Sequence, residues 1–360
     1  MVFRRAVGLT EQMIGPPLSN PPNPWASSSI EYLDEIPRAQ LQIYQDNTRE
    51  IVSKNDSPDI GFTYSINPYR GCTHACAYCY ARPTHEYLSL GAGTDFDTKI
   101  TVKMDAARLL REAFNRKSWQ GETLVFSGVT DCYQPIEASL KLTQACLEVC
   151  AEYRNPVVII TKAPLVERDI SLLQRLNHSA GVQVMISIPF WNAEHARAME
   201  PYVSTPKRRV QTISRLAAAG IPVGVNVAPV IPGLGDADIV RILTAAKEAG
   251  ATRAGYTLLR LPGSVKQVFQ SRLEETLPLR AERVLHRIRE TRGGKLSDSR
   301  FGLRGVGEGN YASAIASTFR MAVRRLGLND EKWENLPTTA TFRRPAPPEK
   351  QLALFPGIDA

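Results

Sequence analysis

The stretch FTYSINPYRGCTHACAYCYAR, Phe62–Arg82, joins a strand-like run at Phe62–Asn67 to a loop carrying Cys72, Cys76 and Cys79. The thiols are spaced C-x3-C-x2-C, with the aromatic Tyr78 before the last of them. Three thiolates so close in sequence can hold three irons of a [4Fe–4S] cube, a cluster usually held by four cysteines. If no fourth protein ligand exists, one iron is left open, and a small molecule can bind and react there. Zinc is the alternative, but its sites usually draw four ligands from two C-x2-C-type pairs. Here the fourth would have to be His74 or a distant residue, because there is no second pair. A disulfide framework does not suit a chain of this length with six cysteines and no secretory leader.

From Gly61 onward, apolar β-branched runs alternate with amphipathic helical runs, the pattern of βα units around a parallel sheet. The expected strands are 62–67, 123–131, 157–162, 182–189, 223–230 and 254–260. The expected helices between them are 105–116, 138–153, 165–176, 206–219 and 237–249. Ser204 and Thr205 before Pro206, and Gly220 after the last turn, bracket the fourth helix. Asp236 is the expected cap of the next, which Gly250 ends. Six such strands predict an α/β fold, a partial (β/α)6 TIM-like barrel, with an eight-stranded barrel as the runner-up.

Four regions follow from this reading: a proline-rich flexible arm without a core of its own (1–55), the barrel core (56–264), a C-terminal helical cap (265–330) and a flexible tail (331–360). The cap is expected to contain helices at 265–275, 278–292 and 311–326, with a long loop bearing six glycines at 292–310.

Chemistry in parallel α/β barrels gathers at the C-terminal ends of the strands. The cysteine loop follows the first strand directly. Polar residues closing the other strands, Thr130, Asp131, Cys132 and Tyr133, then Thr161 and Lys162, with Ser187, Asn226, Tyr256 and Arg260, predict one lined cavity. Cys146 and Cys150 stand four apart on a helix and read as same-face core residues.

The chain is 43% apolar and 22% charged, an ordinary globular balance. It has no run of 18 apolar residues, so no membrane span is expected, and the reducing cytosol suits an air-sensitive cluster. Net charge is +8 with pI near 9.2. Ten lysines and arginines stand against four acids between Glu282 and Arg325, a stretch suited to facing phosphates.

The loop motif resembles that of the radical S-adenosylmethionine (radical SAM) enzymes. NPYRGCTHACAYCYAR (67–82), SGVTDCYQPIE (127–137), IITKAPLVERD (159–169) and GIPVGVNVAPVIPGL (220–234) resemble the spore photoproduct lyase branch. The resemblance implies a [4Fe–4S] cluster on Cys72, Cys76 and Cys79. It also implies S-adenosylmethionine cleaved by an electron from the cluster to methionine and a 5′-deoxyadenosyl radical, within a cytoplasmic enzyme. It assigns cofactor contacts to the Tyr80 backbone, Thr130, Lys162 (toward the methionine carboxylate) and Ser187. In that branch a cysteine two residues before the hydroxyl position donates a hydrogen atom. Gly128 stands there, and Cys132, two residues after Thr130 and roughly 13 Å along an extended strand from that position, is not a simple substitute. Cys132, as a radical relay or substrate-side donor, and Tyr133 are the candidate catalytic residues, a buried small hydrophobe being the alternative for Cys132.

The tail ends in Gln351-Leu352-Ala353-Leu354-Phe355. This resembles the QLxLF peptide by which bacterial replication and repair proteins dock on the sliding clamp. The expected function is a radical SAM enzyme acting on nucleic acid, in DNA lesion repair, served by an electron donor such as flavodoxin or ferredoxin. The alternatives are a protein, RNA or small-molecule substrate, or a cluster-bearing binding or sensor protein.

Overall fold

The computed structural model describes residues 14–27, 35–330 and 341–345. Its strands are β1 (Ile14–Pro17), β2 (Arg38–Gln40), β3 (Gln42–Gln45), β4 (Val52–Lys54), β5 (Tyr64–Ile66), β6 (Tyr69–Arg70), β7 (Lys99–Val102), β8 (Leu124–Phe126), β9 (Val157–Thr161), β10 (Val182–Ser187), β11 (Val223–Val230) and β12 (Arg253–Leu258). Its α-helices are α1 (Thr94–Thr98), α2 (Ala106–Asn115), α3 (Glu137–Leu140), α4 (Leu142–Glu152), α5 (Ile170–Ser179), α6 (Ala193–Met199), α7 (Pro206–Ala218), α8 (Ile239–Glu248), α9 (Val265–Thr276), α10 (Pro278–Glu290) and α11 (Gly309–Leu326).

The main sheet runs β12-β11-β10-β9-β8-β5-β4. All six strands expected from the sequence are present, side by side in chain order and mutually parallel. Because side chains alternate across a strand, the sheet has two faces. Phe126, Ile159, Val184 and Val225 belong to the large core shared with α2, α4, α5, α7 and α8. Val125, Val158 and Met185 form a small cluster on the opposite, inner face. Ser187 and Asn226 share that face and sit beside one another in register.

The helix signals hold where they were strongest. The Thr205 hydroxyl accepts the Arg208 N–H at 3.3 Å, Pro206 opens α7, and Gly220 follows it at φ +72°. The expected helix 138–153 is instead broken at Lys141, which is left-handed at φ +53°. Asp236 does not cap the next helix. Its carboxylate accepts the Tyr311 hydroxyl at 2.5 Å, and a 3-10 turn leads into α8.

Two regional expectations need correction. The arm is not without structure: β3 pairs in parallel with β7, and β4 joins the main sheet antiparallel to β5. Ala39, Ile43 and Ile51 are buried there. Strands of three or four residues leave too little alternation for sequence to reveal them. The three C-terminal helices also divide. Helices α9 and α10 bury Phe269, Leu273, Val284 and Ile288 against α6 and the cysteine loop. Helix α11 instead lies beside α8 in the outer helical layer, where Phe319 packs on Tyr256 with ring centres 4.6 Å apart.

Candidate active site

The cysteine loop leaves β5 and turns back through β6. Gly71 holds the turn at φ +80°, and a Cβ there would come within 2.9 Å of His85 and Ile100. The loop is fixed from several directions. The Cys72 N–H donates to the Phe96 carbonyl at 3.0 Å, and the Ala77 N–H to the Met199 carbonyl at 2.9 Å. The buried Arg82 guanidinium donates to the Cys76 carbonyl from Nε (3.0 Å) and Nη2 (2.8 Å), and Nη2 also reaches Asp97 at 2.8 Å. Residues of the N-terminal arm support the far side: the Asn20 Oδ1 accepts the Gly93 and Asp95 N–H groups, both at 3.1 Å.

The end of β8 braces the loop from below. The Thr130 hydroxyl donates to the Gly71 carbonyl at 2.9 Å and accepts from Gln134 at 3.1 Å. Gln134, fully buried, also donates to the Gly71 carbonyl at 3.1 Å and accepts the Thr73 N–H at 3.0 Å. Asp131 ties β8 to β9. It accepts the Tyr133 N–H (2.9 Å) and the Thr161 hydroxyl (2.6 Å) on Oδ1, and the Lys162 N–H (2.8 Å) on Oδ2. His74 Nδ1 stands 3.5 Å from the same carboxylate, and burial keeps this imidazole below its usual pKa.

Cys72 and Cys76 are buried, and Cys79 is half-buried. Burial pushes all three thiols up, Cys72 to about 12 with help from Asp131 and Cys79, and Cys72 and Cys79 in turn raise Cys76. Metal-free, the sulfurs therefore hold their protons, and metal binding must release them. Among the described residues no three of His, Cys, Asp and Glu converge for a single ion. A cube places each thiolate on a separate iron, so this donor set fits a cluster better than a lone zinc.

Lys162 lies beside these thiols. Its Nζ is 5.8 Å from the centre of the Tyr78 ring. Burial lowers its pKa, but Cys76, Glu200 and Asp131 outweigh that and hold the ammonium charged. Glu200 is itself buried, taking the Tyr78 hydroxyl and the Arg209 guanidinium, and Arg209 reaches the Ser187 carbonyl at 3.0 Å. Tyr80 is 55% exposed, and its hydroxyl donates to the Gly128 carbonyl.

Lys162 and Tyr80 thus stand beside the thiols, Ser187 is linked to the loop through Arg209, Glu200 and Tyr78, and the Thr130 hydroxyl is already committed to the loop. Cys132 and Tyr133 do not join them. Both are fully buried in the core between sheet and helices. The Cys132 N–H donates to Ser127 at 3.2 Å, and its carbonyl accepts from Thr143 at 2.6 Å. The Tyr133 hydroxyl donates to Asp169 at 2.9 Å. β8 ends at Phe126, and the turns after it rotate these side chains away from the inner face. Sequence reasoning missed the braces. Gln134 and Arg82 lay inside the quoted motifs and carried a signal, whereas Glu200 lay outside every quoted motif and carried none.

Comparison with known proteins agrees with this geometry. The model of the radical SAM superfamily matches residues 66–246. An uncharacterised protein of Mycobacterium tuberculosis is 36% identical over 299 residues, covering 82% of this chain and 80% of its own. A radical SAM Nα-GlyT isomerase of Pseudomonas phage M6 is 26% identical over 202 residues, covering 56% of this chain and 40% of its own. The solved structure of spore photoproduct lyase complexed with dinucleoside spore photoproduct shares the fold at TM-score 0.58 and 18% identity, covering 79% of this chain and 80% of that one.

The chain belongs to the radical SAM superfamily. It is a radical SAM enzyme, and its cofactors are a [4Fe–4S] cluster and S-adenosylmethionine. When bound, the cluster supplies the electron that reductively cleaves the sulfonium.

Proposed function

We propose that the enzyme acts on nucleic acid, in the repair or modification of a DNA base. The observation that carries this reading is the position of the basic segment. Arg292 bonds the Leu259 carbonyl at the end of β12 and the Leu303 carbonyl beyond it, holding the loop 298–307 beside the free edge of the sheet. Arg260 lies near Tyr80 and near Arg304 of that loop, so this end of the basic segment stands toward the residue that follows Cys79. The likeness in fold to a spore photoproduct lyase solved with a dinucleoside spore photoproduct supports the same class of substrate.

In this reading Cys72, Cys76 and Cys79 are the cluster ligands, and the Lys162 ammonium binds the cofactor's carboxylate, a charge-assisted contact strengthened by partial burial. Ser187 and the Tyr80 backbone orient the rest of the cofactor. The Tyr80 ring, exposed at the mouth, separates it from the substrate side. The tail segment Gln351–Phe355, which lies outside the described residues, would bring a sliding clamp to the enzyme. Among the described residues no helix is long and apolar enough to cross a membrane, and we place the enzyme in the cytoplasm.

The test is anaerobic reconstitution with iron, sulfide and reductant, followed by incubation with deuterated nucleic acid or deuterated peptide. Deuterium in 5′-deoxyadenosine from nucleic acid alone is the expected result. Label from peptide alone would overturn the substrate assignment. Undiminished 5′-deoxyadenosine yield in Cys72→Ala, Cys76→Ala and Cys79→Ala would overturn the ligand assignment.

A further inference from the structure

The loop 298–307 presents an aromatic ring and two guanidinium groups in unequal states. Arg304 is satisfied: its Nε pairs with Asp59, its Nη2 donates to Ser57, and its guanidinium lies 4.4 Å from the centre of the Phe301 ring. Asp59 is also committed, accepting the Gly302 N–H at 2.7 Å. Phe301, with one side against Arg304, is 62% exposed. Arg260, at the end of β12, differs. It is half-buried and has no hydrogen-bond or ion-pair partner among the described residues. Its neighbours are Arg304, Tyr80 and Asp59, and burial with the Arg304 charge makes its cationic form costlier.

We infer that Arg260 and Phe301 form a subsite for an unstacked nucleotide, Arg260 binding a backbone phosphate and Phe301 stacking on a base. This rests on the nucleic-acid reading above and names the residues that carry it. A partly desolvated guanidinium without a counter-ion is unfavourable, and a phosphate oxygen pair satisfies its fork geometry. Asp59 forms no ion pair with Arg260, being bonded to Arg304 and the Gly302 amide, and its charge offsets only part of the cost of burial beside Arg304. An aromatic face backed by a guanidinium is a sequence-tolerant platform for a base. Within a duplex the base faces are covered by neighbouring pairs, so the subsite selects single-stranded or extruded nucleotides. Arg304, locked to Asp59 and Ser57, positions the ring and links the edge of β12 to the loop before β5.

The experiment is fluorescence anisotropy of a labelled single-stranded oligothymidylate with the full-length, cluster-loaded protein under anaerobic conditions, repeated across a salt series. Arg260→Gln is expected to weaken binding about 10- to 100-fold, the loss of a charge-assisted bond. It should also lower the slope of log affinity against log salt by about one. Phe301→Leu is expected to weaken binding about 5- to 100-fold with the slope unchanged. Arg260→Lys should restore the slope but not the full affinity. Iron content and thermal midpoint report that each variant is folded. If the wild type binds the oligonucleotide and both Arg260→Gln and Phe301→Leu bind equally well, the subsite is refuted while the nucleic-acid reading stands. If the wild type binds no nucleic acid, that reading itself fails. Full displacement of the oligonucleotide by an equal concentration of acidic peptide would also overturn the assignment.

Discussion

Asp131→Asn tests the bracing of the site with almost no change of shape. The carboxylate accepts three hydrogen bonds, two on Oδ1 and one, from the Lys162 N–H, on Oδ2. If the asparagine oxygen keeps the Tyr133 and Thr161 contacts, its amide nitrogen must face the Lys162 N–H, donor against donor. One bond to a charged acceptor is then lost, and a part-buried N–H is left unpaired, costing about 1.5–3 kcal/mol. With an unfolding entropy of about 0.6 kcal/mol/K for roughly 300 ordered residues, the thermal midpoint should fall by about 2–5 °C. Because the lost bond positions Lys162, the residue proposed to bind the cofactor carboxylate, affinity for S-adenosylmethionine should fall several-fold although Lys162 itself is intact. Differential scanning calorimetry of the anaerobic cluster-loaded protein and isothermal titration with S-adenosylmethionine measure the two effects. A destabilisation within the ±0.5 kcal/mol typical of surface substitutions, together with unchanged affinity, would refute the idea that Asp131 organises this end of the sheet.

Three further outcomes are expected. Lys162→Ala should weaken S-adenosylmethionine binding about 10- to 150-fold with iron content unchanged; unchanged affinity by titration would make Lys162 a bystander. Cys132→Ala should lower stability by about 1 kcal/mol in chemical denaturation while leaving the product and its rate as in the wild type, and a diverted product would restore the thiol to the mechanism. His85, buried with Nε2 at 2.9 Å from the Lys99 carbonyl, is held down to about 4 by burial. Between its ordinary value near 6.5 and that one, the unfolded chain binds more protons, so this contribution is complete above pH 6.5 and is lost as pH falls toward 4, amounting to about 3 kcal/mol. Asp97, raised to about 6 by burial, acts in the opposite direction, so the measurement is the difference between wild type and His85→Gln across that window. A difference independent of pH would refute the assignment.

Sequence alone determined the features that depend on local pattern. Alternation of β-branched and amphipathic runs specified six parallel strands in order, because each βα unit writes its own period into consecutive residues. The Cys72–Cys79 spacing specified the cluster chemistry, because the three donors lie on one short loop. Cap residues bounded α7 because helix ends are closed by immediate neighbours. Short strands such as β3 and β4 escaped, having too few residues to show a period. The direction a side chain takes after a strand ends is not periodic either. Cys132, six residues past Phe126, read as a cavity residue, yet the intervening turns bury it on the helical side. Long-range partners were equally hidden: Gln134 under Gly71, Glu200 between Tyr78 and Arg209, and Asp59 holding Arg304 across 245 positions. These pairings arise only when the sheet brings distant loops together. The sequence could therefore name the chemistry, and the tertiary structure decided which groups face it, because facing is set by packing between segments that share no local pattern.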